Sequence, residues 1–250
     1  MPASLFKGEN LFMETIRGKH ILVAGATGTI GAEVVKLLAS SGAKLFLTGR
    51  NEARLAELSG MYKLDSGAYF ACDLANPSMV RELKQKYFAR YGQIDILINA
   101  SGIGIIRQME NLEEEAFLQT IMANLYAPFL LLKAFLPAMK ALKKGLVINI
   151  PGVLGKVPMA GAAAYSASKY GLVGMMQCIR EELKRTDIRI TNLFMGGVDS
   201  AFWDNIDLRV QRDKMISAEE AAKTIWFLCQ QPDSGVISEM VLQPFNHQAI

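Results

Sequence analysis

An apolar run at residues 21–24 passes into Gly25-Ala26-Thr27-Gly28-Thr29-Ile30-Gly31 and then into an amphipathic stretch over residues 31–41. Few architectures accommodate that junction. Glycines let a backbone turn sharply and approach a ligand closely, and a helix that starts there offers unpaired amides and a partial positive charge. The segment therefore has the makings of a phosphate cradle. A glycine triplet alone is weak evidence, because ordinary turns supply many. A strand before it and a helix after it are the context that gives it meaning.

The rest of the chain repeats the alternation. Short runs rich in Ile, Leu and Val predict strands at residues 21–24, 44–48, 69–72, 94–99, 146–150, 189–194 and 240–242. Unbroken apolar runs of this length suit strands buried on both faces. Helices are predicted at residues 31–41, 78–91, 112–142, 163–185 and 217–231, the last opened by a Ser217/Glu220 capping-box spacing. Alternating strands and helices imply right-handed crossovers, hence an α/β, Rossmann-type, doubly wound parallel sheet in three layers with about seven strands. Residues 1–18 read as an N-terminal arm and residues 19–250 as one dinucleotide-binding and catalytic domain. The one long irregular stretch, residues 196–216, follows the sixth strand at a carboxyl end, where such sheets hold ligands, and is expected to be a substrate lid.

Composition narrows the partners. Hydrophobic residues make up 51% and charged residues 20%, which excludes disorder. The net charge is +3, and the tightest basic group is Lys140, Lys143 and Lys144, so no nucleic-acid face is expected. Cys72, Cys178 and Cys229 are odd in number and far apart, which argues against a disulfide framework or a zinc site and for a reducing, cytoplasmic location. His20 and His247 lack the spacing of a hydrolase triad or metal site, and no metal is expected. Lys7, Glu9, Glu14 and Arg17 interrupt the apolar residues of the arm, so neither a secretory signal nor a membrane span is expected there. The arm is either an extra packed helix or a partly ordered tail.

The second strand ends in Thr48-Gly49-Arg50-Asn51. Sites for NAD place an acid here to bind the ribose hydroxyls. No acid is present, and Arg50 stands where it would meet a 2′-phosphate, which favours NADP (NADPH) over NAD. The alternative is a surface Arg that opens a helix.

Asp73-Leu74, Asn99-Ala100-Ser101-Gly102, Asn124, Tyr165-Ser166-Ala167-Ser168-Lys169 and Gly196-Gly197-Val198-Asp199-Ser200 follow in order, each on its expected element. With the glycine turn and Arg50 they make the chain resemble the short-chain dehydrogenase/reductase (SDR) family from about residue 18 to residue 244. The resemblance implies a cofactor held by Gly25, Thr27, Gly28, Thr29, Ile30, Gly31, Arg50, Asn51, Asp73, Leu74, Asn99, Ala100, Ser101, Gly102, Tyr165, Lys169, Gly196, Val198 and Ser200. Thr29, Ser101 and Met195 depart from the usual Gly, Ala and Pro at their positions without threatening nucleotide binding.

The chemistry expected is a hydride and a proton exchanged with a carbonyl or alcohol. Tyr165 is the acid/base candidate. Lys169, one helical turn on and on the same face, would lower the phenol's pKa, and Asn124 is expected to steady a relay water. The family's Ser, which donates a hydrogen bond to the substrate oxygen, is missing. Gly152 stands there after Pro151, and no Ser, Thr or Tyr occurs from 151 to 164. Losing such a donor typically costs about 100- to 1000-fold. The Gly152 amide, a water or Ser101 would have to replace it, and Gly152→Ser is expected to raise turnover.

Gly152, Val153, Leu154, Phe202 and Trp203, with Ile103, Ile105 and Met159, are expected to line an apolar substrate pocket. The two long helices resemble the pair through which the family dimerises, so a homodimer or homotetramer is expected. Phe129, Leu130, Leu132, Phe135 and Leu136 belong to that face or to the core. Two readings follow. One is an NADP-dependent oxidoreductase of a lipophilic small molecule. The other, favoured by Pro151-Gly152, is a non-catalytic NADP-binding sensor or scaffold.

Overall fold

The seven apolar runs form one parallel sheet. In the computed structural model, which describes residues 15–206 and 208–246, its strands are β1 (His20–Ala24), β2 (Lys44–Gly49), β3 (Tyr69–Ala71), β4 (Ile96–Asn99), β5 (Lys144–Asn149), β6 (Asp187–Met195) and β7 (Glu239–Leu242). Their order is β3-β2-β1-β4-β5-β6-β7, and every neighbouring pair is parallel. The direction of winding reverses between β1 and β4, and that crevice is where open α/β sheets bind ligands.

Helices cover both faces. Val34, Val35 and Leu38 of α1 (Thr29–Ser40), Leu55 and Leu58 of α2 (Glu52–Met61) and Ile225 of α7 (Ala218–Leu228) pack on one side, against Val23, Leu47, Ile98 and Ile148. On the other, Leu83 and Tyr87 of α3 (Pro77–Tyr91), Phe135 and Met139 of α5 (Ala127–Leu142) and Leu172 and Met176 of α6 (Ala163–Glu182) pack against Leu22, Phe46, Leu97 and Val147. Successive strand residues alternate between the two cores, as the period of two requires. The three-layer α/β fold expected from the sequence is thus present. The capping box is present too: the Ser217 hydroxyl accepts from the Glu220 amide, and the Glu220 carboxylate accepts from the Ser217 amide.

Several local expectations change. Helix α2 was not anticipated, because only Leu55, Leu58 and Ser59 of its ten residues are buried and Gly60 interrupts it. The predicted helix over residues 112–142 is α4 (Glu114–Ile121), a π turn (Met122–Tyr126) and α5. The π turn loosens the hydrogen-bond ladder just before Pro128, a residue with no amide to contribute. This stretch is long and apolar enough to cross a bilayer, yet half of its most apolar window is buried inside the fold, as befits a core helix. Leu130, Leu132, Phe135 and Leu136 are buried in that core and only Phe129 of the proposed dimer face is exposed. Of the expected arm, residues 1–14 lie outside the described residues, as does His247, whereas Ile16 is buried in the core.

Candidate active site

Strand β1 feeds the chain into the glycine turn. Gly25 has φ +80°, and a Cβ there would lie 2.7 Å from the Ala100 carbonyl carbon, so only glycine fits the close pass of the two loops. A Cβ on Gly31 would lie 2.1 Å from the Gly25 carbonyl oxygen, so the first turn of α1 sits directly on the end of β1. Gly28 is the N-cap of α1 and offers its amides no side-chain acceptor. Helices α2, α3 and α7 are instead capped by Asn51, Asn76 and Ser217. The start of α1 thus keeps unpaired donors at the positive end of its dipole.

The remaining expected cofactor residues gather around this turn. Thr27 packs over Gly49, whose added Cβ would lie 2.8 Å from the Thr27 Oγ1. Arg50 is exposed, and no described residue pairs with it. Asn51 caps α2 by accepting from the Arg54 amide at 3.0 Å, so its side chain is committed to the helix. Ile30 packs against the core, and the Thr29 hydroxyl accepts from the Ala201 amide at 3.3 Å. Asp73 is exposed and accepts from the Ala75 amide, and Leu74 is buried beside it. Past β4, the Ala100 amide donates to Ala24. The Ser101 hydroxyl donates to the Asn99 Oδ1 at 2.6 Å. Ser101 therefore has no proton left for a substrate, which removes it as a substitute for the missing Ser.

Lys169, on α6, is buried and donates to the Ile150 carbonyl at 3.1 Å, with its Nζ 5.5 Å from the centre of the Tyr165 ring. A Cβ on Gly102 would approach that Nζ to 3.4 Å, so the glycine leaves the ammonium open toward the cleft. Burial pulls the Lys169 ammonium down to about 8. It pushes the Tyr165 phenol above its ordinary value. The expected lowering by Lys169 is therefore not seen: loss of solvation disfavours the charged form of each group. Asn124, buried in the π turn, accepts from the Ile103 amide at 2.8 Å and donates to the Ile103 carbonyl at 2.9 Å and to the Ser168 hydroxyl at 3.2 Å. Both its donors are used. It pins the loop after β4 against α6 and has no side-chain hydrogen left to hold a relay water.

Gly152 has φ +71° and ψ 167°, a combination open essentially to glycine alone. A Cβ there would lie 3.8 Å from the Tyr165 hydroxyl and 3.5 Å from the Met195 carbonyl oxygen. Room for a side chain exists, but the backbone is wrong for one. Gly152→Ser is now expected to lower the melting temperature without raising turnover. Strain of about 1–3 kcal/mol corresponds to roughly 2–12 °C in a chain of this size. A thermal melt and steady-state rates check this, and a faster variant of unchanged stability contradicts it.

Gly152, Val153, Leu154, Met159, Tyr165, Phe202 and Trp203 line a cavity of about 750 Å³ at the carboxyl ends of β5 and β6. Ile103 and Ile105 are not among its walls, and Ile106 takes their place. Sequence reasoning missed Val157, Met195, Leu208, Arg209, Lys214, Met215 and Pro244, which also line it. Most come from the loop over residues 196–216 and from just past β7, where no local pattern marks them. That loop carries two short 3-10 turns, Ala201–Asn205 and Arg212–Lys214, rather than being irregular throughout. It doubles back through a bridge between Val198 and Ile216. Gly196 and Val198 lie at its start, and the buried Ser200 donates to the Val198 carbonyl at 3.3 Å. The ring of Phe202 meets that of Tyr165 edge-on at 5.7 Å. No group of His, Cys, Asp and Glu able to hold a metal occurs among the described residues.

A doubly wound sheet with an uncapped helix after its first strand, and a Tyr and a Lys one turn apart beside a largely apolar cleft, belongs to the class of Rossmann-type oxidoreductases. The comparison with known families agrees: the model described as short chain dehydrogenase matches residues 19–211, and the chain belongs to that family. An uncharacterized oxidoreductase of Staphylococcus saprophyticus is 30% identical over 235 residues, 93% of this chain and 100% of its own. The crystal structure of a metagenomic short-chain oxidoreductase in complex with NADP is 30% identical, with a TM-score of 0.80 over 94% of this chain and 100% of that one. An alcohol dehydrogenase from the archaeon Thermococcus sibiricus, complexed with 5-hydroxy-NADP, is 24% identical with a TM-score of 0.85 over 94% and 100% of the two chains. At that identity the likeness is one of fold.

Proposed function

We propose that the protein is an NADP-dependent oxidoreductase that interconverts a carbonyl and an alcohol on a lipophilic small molecule. The observation that carries this reading is Tyr165, the only hydroxyl-bearing side chain among the described walls of an otherwise largely apolar cavity, with the Lys169 ammonium behind it. The fit to a dinucleotide rests on the cradle around Gly25, Gly28 and Gly31, whose helix amides have no side-chain cap, and on the unpaired Arg50 at the end of β2. The metagenomic relative's complex with NADP supports the same choice. When bound, the nicotinamide supplies or accepts the hydride.

The chain's own residues do the rest. Tyr165 gives its phenolic proton to the carbonyl oxygen in reduction and takes one back in oxidation. Lys169, held by the Ile150 carbonyl, stabilises the phenolate that forms. Asn124 fixes Ile103 and Gly102 so that the approach to Lys169 stays open. The amides of Gly152 and Val153 donate to no described acceptor and lie in the cavity wall, which makes them the best replacement for the absent Ser hydroxyl. A screen of carbonyls and alcohols followed by NADPH absorbance, with Tyr165→Phe as control, tests the reading. Turnover that survives the substitution sinks it.

Arg50 makes cofactor choice a second test. Arg50→Ala is expected to weaken NADPH binding about 10- to 100-fold and leave NADH binding nearly unchanged, since only NADPH carries the 2′-phosphate. Calorimetric titration of both cofactors decides it, and equal losses for the two reject the assignment. The homodimer or homotetramer rests on family resemblance and on exposed Phe117, Leu118, Met122, Phe129 and Tyr170 along α4, the π turn, α5 and α6. The cytoplasmic assignment rests on three cysteines that form no disulfide.

A further inference from the structure

No Asp or Glu is among the described residues that line the cavity, although the chain has 24 of them. Two cations are, Arg209 and Lys214, both exposed on the loop that covers it. Their neighbour Arg212 shows what a structural cation in this loop does. Its Nε donates to the Asp199 carboxylate at 2.6 Å, and its two terminal nitrogens donate to Asp204 at 2.7 Å and to the Ser200 carbonyl at 3.0 Å. Arg212 thereby ties the two halves of the loop together. The side chains of Arg209 and Lys214 make no ion pair or hydrogen bond with any described residue. The loop thus holds one cation spent on structure and two left facing the mouth of an apolar cleft.

None of the residues expected to hold the nucleotide's phosphates lines this cavity. The glycine turn and Arg50 follow β1 and β2, whereas the cavity is closed on its far side by Gln243 and Pro244, which follow β7. Between them stand β4, β5 and β6. Leu154, Met159, Trp203 and Tyr165 line the same cavity as the two cations.

We infer that the substrate is amphipathic and anionic: an apolar body seated in the cleft, a carbonyl or alcohol at Tyr165, and an acidic group held by Arg209 and Lys214 at the mouth. This rests on the reading of the cavity as the substrate site. A carboxylate and a phosphate present the same chemistry to this pair, since both accept charge-assisted hydrogen bonds from guanidinium and ammonium groups. The pair is exposed, so its pull is screened by salt and falls as ionic strength rises.

The test separates binding from turnover. Trp203 lies in the cavity wall, and its fluorescence in the full chain saturated with NADP⁺ is titrated with decanoate, decyl phosphate and neutral 1-decanol. Both anions are expected to bind about 10-fold more tightly than decanol at low salt, with the advantage shrinking at high salt. Whichever anion binds better identifies the acidic group. The preference is expected to vanish in Arg209→Gln/Lys214→Gln. In Arg209→Glu/Lys214→Glu decylamine is expected to overtake decanoate, a reversal that a misfolded variant does not produce. Equal binding of anions and decanol, no binding of the anions, or a preference untouched by both double variants overturns the inference. In parallel, ω-oxo acids of increasing chain length and their methyl esters are offered with NADPH, each aldehyde taking up one hydride and one proton. Anion-selective binding with no turnover of any of them rejects the oxidoreductase reading and leaves the anion site standing. Turnover that favours the esters overturns the anion site and leaves the oxidoreductase reading standing.

Discussion

Tyr165→Phe is expected to lower turnover at least about 1000-fold, near the upper part of the range for general acid–base groups, with NADPH affinity changed by less than about twofold. Tyr165 is the only described side chain with a hydroxyl in the cavity wall. The one nearby alternative, Ser101, donates to Asn99 at 2.6 Å. Phenylalanine keeps the ring and its edge-on contact with Phe202, so the shape of the cleft is preserved while the proton is removed. The pH profile follows from burial. Tyr165 is pushed up and stays protonated through the neutral range, so it does not limit reduction there. Lys169 is pulled down to about 8. Its charged form is complete below that pH and is lost as pH rises through it, so the stabilisation of the developing phenolate is lost in the same direction. For reduction, kcat/KM with respect to NADPH, which reports groups of the free enzyme, is expected to be flat near pH 7 and to fall above about pH 8. Steady-state kinetics from pH 6 to pH 10 read both effects, on the order of ten points per profile. A Tyr165→Phe variant with substantial turnover, or a profile that rises through pH 8, contradicts the assignment.

Gly31→Ala is expected to be the most damaging single methyl among the described glycines. The added carbon would lie 2.1 Å from the Gly25 carbonyl oxygen, 2.9 Å from its carbon and 3.0 Å from the Ala26 Cα, all of them backbone. No rotamer change relieves such a contact. Helix α1 has to lift off the end of β1, and that opens the core where Val34, Val35 and Leu38 pack. Overpacking of this kind costs about 3 kcal/mol or more, or roughly 6–12 °C in melting temperature. The same shift displaces the uncapped amides of α1, so NADPH affinity is expected to fall about 100-fold. Gly28→Ala is the control, since its methyl meets only the Gly25 oxygen at 3.4 Å, an ordinary contact. Its melting temperature is expected within about 2 °C of the parent. Differential scanning calorimetry and titration with NADPH measure both variants. Equal behaviour of the two removes the packing argument.

The layer architecture and the identity of the main groups are legible in the order of the residues. Strands buried on both faces read as unbroken apolar runs, and helices read by period. Short alternating elements then leave a parallel sheet as the way to bury them all. Tyr165, Lys169 and the glycine turn were legible because their partners lie within one turn of helix or one tight loop. Helix α2 escaped notice because a helix resting on two leucines carries little periodic signal. What each polar group is free to do depends on the folded neighbourhood. Asn99 and Ser101 are close in sequence, yet the hydroxyl's commitment to the amide depends on how the loop after β4 folds back. Asn124 spends its amide on a loop twenty-one residues away. The left-handed backbone of Gly152 is set by the turn from β5 into the next helix, and it makes glycine there a requirement of the backbone as well as a missing hydroxyl. The pairing of Arg212 and the freedom of Arg209 and Lys214 depend on the path of one loop across the mouth of the cavity. Periodicity encodes which side of an element faces the core. The satisfaction of a hydrogen bond or a charge is a property of neighbours brought together from distant parts of the chain, and no local pattern carries it.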